Sequence, residues 1–116
     1  MIFEVGNEVL IYYLPAELDH CAADMLKRKT EHVFEEEKVR YIIFDFSKTS
    51  FMDSSGIGLL TGRYRKIRDK GGKVYVIHVS DAIDRVLKMS GIYQIVEKRQ
   101  TRDEVKQELL AGGYYE

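Results

Sequence analysis

The segment Tyr41-Ile42-Ile43-Phe44-Asp45-Phe46 is apolar almost without alternation, and Lys73-Val74-Tyr75-Val76-Ile77-His78-Val79 repeats the pattern further along. A strand with one wet face alternates apolar and polar residues. A strand that does not alternate must be covered on both faces, which is the situation of a parallel or mixed sheet clad by helices. These two runs therefore restrict the chain to an α/β architecture, with Tyr41 to Phe46 expected as the central strand.

The intervening segments carry helical spacing. Ala22, Ala23, Leu26, Val33 and Phe34 recur at that period between Asp19 and about Glu36, with Asp19 placed to cap. Ile57, Leu60, Tyr64 and Ile67 form a second stripe, stopped by Gly71-Gly72, and Arg63, Lys66 and Lys70 are assigned to its solvated face. Ser80 is the expected N-cap of a third helix with Ile83, Val86 and Leu87 inward and Gly91 at its end, before a short strand from Ile92 to Val96. Thr101-Arg102-Asp103-Glu104 matches a capping box ahead of an apolar face made by Val105, Leu109 and Leu110.

At the start of the chain, Ile2 to Val5 and Val9 to Leu14 flank Gly6-Asn7-Glu8, residues that tolerate the positive φ of a tight hairpin, and Pro15 ends the second strand. The order β, β, α, β, α, β, α, β, α predicts a mixed sheet of about five strands with about four helices. With 116 residues there is room for one core, so 1–116 is expected to be a single domain with a frayed tail from about 111. Loops leaving the carboxyl ends of such strands gather on one side. Two of them belong there: Ala16-Glu17-Leu18-Asp19-His20 and the loop with Asp53-Ser54-Ser55-Gly56.

Composition excludes several function classes. Eighteen Lys and Arg against nineteen Asp and Glu leave a net charge of −1, without the basic footprint of a nucleic-acid partner. The N-terminal apolar stretch is broken by Glu4, Asn7 and Glu8, so neither an export signal nor a membrane span is expected. One cysteine, Cys21, and three scattered histidines give no metal-ligand spacing, and a cofactor-free cytoplasmic monomer is the simplest expectation.

The stretch Phe51-Met52-Asp53-Ser54-Ser55-Gly56-Ile57-Gly58 sits at a strand-to-helix junction. A serine there satisfies an orphan backbone N–H as a cap. A catalytic use would need His20 as base and Asp19, Asp45 or Asp53 as orienter, but the G-x-S-x-G elbow is missing. His20 and His32 read as helix-surface residues and His78 as a hydrogen-bonded core residue. A third use is phosphorylation, since a phosphate at a helix N-terminus meets free donors and the positive end of the dipole. Local chemistry disfavours catalysis and leaves capping and phosphorylation both open. Gly56 and Gly58 in the first turn imply close approach by a neighbouring surface.

Together, Glu17-Leu18-Asp19-His20, the FMDSSGIG block with Gly62-Arg63-Tyr64, and Met89-Ser90-Gly91-Ile92 are similar to the STAS-domain anti-sigma factor antagonists, especially their sporulation branch. The match runs from about Ile2 to Leu110. The resemblance implies a binding module, not an enzyme. Its unphosphorylated form would bind an anti-sigma factor that is also a serine kinase and thereby free the sigma factor. The kinase would switch it off by phosphorylation, and a serine phosphatase would reset it. A general-stress or other STAS partner-switching regulator is the alternative within the family, and a small serine hydrolase the least favoured.

Carried over by position, the resemblance makes Ser54 the phosphoacceptor, with Ser55 second. Glu17, Asp19, His20, Met52, Asp53, Ser54, Ser55, Gly56 and Ile57 become the partner-binding residues. Pro15-Ala16 stand where the family usually has glycine before this block, so that loop is expected to take a different shape.

Overall fold

The computed structural model describes residues 1–112; the expectation of a frayed tail falls largely on 113–116 and lies outside the described residues. Two apolar runs meet in a hairpin, β1 (Phe3–Gly6) and β2 (Val9–Tyr13), paired antiparallel with Gly6 opposite Val9. Asn7 and Glu8 turn the corner with φ of 52° and 66°. Two consecutive left-handed residues match the right-handed twist of the strands they join. The backbone carbonyl of Glu8 accepts the N–H groups of Arg40 and Tyr41 (2.9 and 3.1 Å), which fixes the hairpin to the next strand.

After β2 the chain passes through β3 (Glu17–Leu18) into α1 (His20–Glu36), then β4 (Tyr41–Asp45), β5 (Phe51–Met52) and α2 (Ser54–Ile67). A 3-10 turn over Arg68–Lys70 ends at Gly71, whose φ of 73° is the left-handed stop expected there. Then follow β6 (Lys73–Ile77), α3 (Asp81–Ser90), β7 (Val96–Lys98) and α4 (Arg102–Ala111). The main sheet has the order β1-β2-β4-β6-β7, so β4 is central, and all pairs except β1 with β2 are parallel. Gly72 is fixed by close approach: a Cβ there would stand 1.6 Å from the Arg40 carbonyl oxygen.

The absence of alternation in the central strands is explained by two separate cores. Leu10, Tyr12, Ile42, Phe44, Val74 and Val76 face α1, α2 and α3, where they meet Leu26, Leu59, Leu60, Ile83 and Leu87. Val9, Ile11, Tyr41, Ile43, Tyr75 and Ile77 point the other way and are closed by Val105 and Leu109 of α4. Each fully buried aliphatic side chain contributes roughly 1.5–3 kcal/mol, so both faces pay into stability. The rings of Tyr12 and Phe44 stack at 4.9 Å, and the Tyr12 hydroxyl bonds Thr30 Oγ1 at 2.7 Å, which fixes α1 on the sheet.

Several expectations are corrected. Arg63, assigned to solvent, is 3% exposed. Its guanidinium lies over the Phe34 ring (5.1 Å) and 3.5 Å from Glu31 Oε2, between α1 and α2. The hydrogen bond from Lys66, seconded by Arg63, holds the Glu31 carboxyl below its usual range. His78, expected in the core, is exposed just past β6 at φ 54°, because the strand ends one residue earlier. Ile92–Gln94 is a 3-10 turn, and the last strand starts at Val96. Gly91, at φ 79°, allows that turn to follow α3 directly. Val105 and Leu109 are buried as expected, but Leu110 is exposed.

Caps follow local chemistry. Ser80 Oγ accepts from the N–H of Ile83 (3.3 Å) and Thr101 Oγ1 from that of Glu104 (3.2 Å). The reciprocal arm of the capping box reaches one residue further back: Glu104 Oε2 accepts from Gln100 N at 3.4 Å.

Candidate functional site

The two loops singled out in the sequence form a small ribbon of their own. β3 and β5 pair in parallel, with Glu17 opposite Phe51 and Leu18 opposite Met52. The carbonyl of Ala16 accepts from Ser50 N (2.9 Å) and Phe51 N (3.2 Å), and that of Leu18 accepts from Asp53 N (3.4 Å). Ala16 has no positive φ, so alanine is compatible with this loop as it stands. Thr49 Oγ1 adds a bond to the carbonyl of Pro15 (2.8 Å).

Because the strands are parallel and in register, the residues just after them also stand side by side. Asp19 and Asp53 are these residues, and each is the N-cap of the helix that follows, in nearly the same extended conformation. Asp19 Oδ1 accepts from Ala22 N at 2.9 Å, and Asp53 Oδ1 from Ser55 N at 2.8 Å. Helices α1 and α2 therefore begin together, with His20 and Ser54 as their first residues. The expectation that Ser54 or Ser55 caps α2 is corrected: a carboxylate one residue earlier reaches the amide first. Neither serine hydroxyl forms a hydrogen bond among the described residues.

Ser54 is exposed at the first position of α2 and Ser55 is half-buried. The first turns of α1 and α2 contain no acidic residue, so only the two caps oppose the positive end of each dipole. Glu17 and His20 are exposed, while Asp19, Asp53 and Ile57 are half-buried. Met52 and Gly56 lie beneath the surface. A Cβ on Gly56 would meet Met52 Cγ at 2.5 Å and Leu18 Cδ2 at 3.0 Å, so glycine lets the ribbon rest on the helix. Gly58 has a different environment, exposed with nothing within 4 Å of a would-be Cβ.

Sequence reasoning passed over Phe51. It faces outward on β5 and is 51% exposed, while Met52 fills the inward position. Its signal was the alternation of β5 itself, which is invisible until the two-residue strand is known to be one. His20 makes no hydrogen bond to either serine, and no group of three or more potential metal ligands is found among the described residues. No helix among them is long and apolar enough to cross a membrane.

Comparison with known proteins agrees with this geometry. The STAS domain family matches residues 1–107. An anti-sigma F factor antagonist of Paenibacillus polymyxa is 38% identical over 88 residues, covering 76% of this chain and 75% of the relative. An anti-sigma-B factor antagonist of Listeria monocytogenes is 24% identical over 104 residues, covering 90% of each. Among solved structures, the anti-sigma factor antagonist SpoIIAA in its unphosphorylated form superposes with a TM-score of 0.72 at 28% identity, over 92% of this chain and 96% of that one. The phosphorylated form of SpoIIAA, a Bacillus cell fate determinant, gives 0.70 at 30% identity, over 92% and 98%. The chain belongs to the STAS-domain family, and within it stands among the anti-sigma factor antagonists.

Proposed function

We propose that this chain, as one STAS domain over 1–116, binds an anti-sigma factor serine kinase in its unphosphorylated form and so releases a sigma factor. Phosphorylation of Ser54 ends the interaction, and a serine phosphatase restores it. The observation that carries this reading is the division of labour at the start of α2: Asp53 does the capping, so the exposed Ser54 hydroxyl is left without a structural task. The sporulation branch is preferred over the general-stress branch because a relative of that type is 38% identical, against 24–27% for the anti-sigma-B relatives.

In the switching step, Ser54 Oγ attacks the γ-phosphorus of ATP held by the kinase. Its proton passes to a base of the kinase, the bond between the β–γ bridging oxygen and the γ-phosphorus breaks, and ADP leaves. The product phosphate sits at the exposed, positive end of the α2 dipole, so the fold tolerates it. The complex does not, because nearly two added negative charges beside Asp53 and Asp19 must be desolvated against a surface that carries nucleotide phosphates. Ser55, half-buried and one position further into the helix, is the less accessible acceptor. A serine hydrolase is disfavoured because no base is hydrogen-bonded to either hydroxyl among the described residues.

The test is incubation with the cognate anti-sigma kinase and ATP, read by mass spectrometry. One phosphate per chain is expected, and none on Ser54→Ala. Persistent labelling at Ser55 would overturn the site assignment, and an unlabelled wild type would overturn the switch.

A further inference from the structure

We propose that Phe51 is the apolar anchor of this docking face, received by an apolar recess of the anti-sigma partner with a cationic border beside Glu17. The inference rests on the function proposed above and goes beyond it by naming a residue that contributes affinity and the partner chemistry it requires. Among the described Phe and Tyr residues, Phe51 alone is exposed. A phenyl ring left half in water forgoes much of the stabilisation that burying its surface of about 150–250 Å² would bring. The other exposed large apolar residues, Met1, Met89 and Leu110, lie at the chain start, on α3 and on α4. Phe51 is three positions from Ser54 and on the same ribbon as both caps.

The backbone that carries the ring is held in place. The N–H of Phe51 bonds the carbonyl of Ala16, the neighbouring Ser50 N–H bonds the same carbonyl, and Met52 is buried beneath. On a backbone already fixed by hydrogen bonds, an aromatic group has only its two side-chain torsions to lose on binding, which favours a strong anchor. Its cross-strand neighbour is Glu17, exposed and without an ion-pair partner among the described residues. Asp19 and Asp53, close by, bond only backbone N–H groups. An aromatic bordered by carboxylates that have no cationic side chain paired to them fits an apolar pocket rimmed by Lys or Arg.

The experiment measures binding to the cognate anti-sigma kinase and steady-state phosphorylation of Ser54 for wild type, Phe51→Ala, Phe51→Thr and Phe51→Leu. Phe51→Thr keeps a β-branched residue on the strand and so guards against local unfolding. Both ring-removing variants are expected to weaken binding roughly tenfold to a hundredfold and to raise KM with kcat nearly unchanged. Phe51→Leu should recover part of the loss, and Glu17→Lys should weaken binding most at low salt. Wild-type affinity and KM in Phe51→Ala, or a lowered melting temperature with binding intact, would overturn the anchor while leaving the switch standing. A wild type that neither binds nor is labelled would overturn both.

Discussion

Two helices of this domain start differently from the other two. Helices α3 and α4 are capped by hydroxyls and carry acids in their first turns, Asp81 and Asp84 in one and Asp103 and Glu104 in the other. Helices α1 and α2 are capped by carboxylates and carry none. One acid of α3 is engaged in structure: Asp84 accepts from Tyr93 and pairs with Lys88 (3.1 Å) and Lys98 (3.2 Å), joining the helix to β7. The first turn of α2 reads Ser-Ser-Gly and holds no carboxylate, while Asp53 takes the N–H groups of Ser55 (2.8 Å) and Gly56 (3.0 Å). Acids in a first turn stabilise a helix through its dipole; their absence lowers the repulsion that an added negative charge would meet there.

The largest expected effect tests how closely the ribbon is fitted to α2. Gly56→Ala should lower stability by about 1–2 kcal/mol, because the new methyl meets Met52 and Leu18 and overpacks the junction. Thermal melting reads this, and an unchanged melting temperature would mean that the ribbon moves freely on the helix.

Next comes the structural acid of α3. The Tyr93 hydroxyl and the two lysines bring the Asp84 carboxyl down to about 2. A carboxyl held below its unfolded value of about 3.9 adds stability that is complete well above that value and lost as pH falls through the folded one. Asp84→Asn should therefore lower stability by about 1 kcal/mol at pH 7, allowing for solvent screening, and the gap to wild type should narrow between about pH 4 and 2 in denaturant titrations. A constant gap would show that Asp84 acts through packing alone.

The smallest effect concerns the dipole. Asp103→Asn should reduce stability by about 0.5 kcal/mol, since an exposed acid at a helix start contributes little, and should leave the rate of Ser54 phosphorylation unchanged. A slowed phosphorylation would break the separation between structural and switching helix starts.

Much of this was legible in advance for a physical reason. The two-sided burial of the central strands followed from their lack of alternation, and the caps at Asp19, Ser80 and Thr101 and the stops at Gly71 and Gly91 follow from interactions within a turn. What was misread depends on distant partners. Arg63 lies on the second helix's surface by spacing, yet α1 packs over it and brings Phe34 and Glu31 to its guanidinium. His78 reads as buried because the apolar run continues to Val79, two residues past the end of the strand, and the cap of α2 reads as a serine because nothing local shows that β5 ends at Met52.

The sequence by itself determined the α/β class, the central strand, the helix stops and the block of residues that holds the candidate switch. Only the tertiary structure decided that Glu17–Leu18 and Phe51–Met52 are strands at all, since two residues form a strand only when another segment supplies the hydrogen bonds. That pairing sets Asp19 beside Asp53, buries Met52, turns Phe51 outward and leaves Ser54 free. Chain-local chemistry cannot specify a partner that lies more than thirty residues away; the packing of the ribbon on Gly56 does.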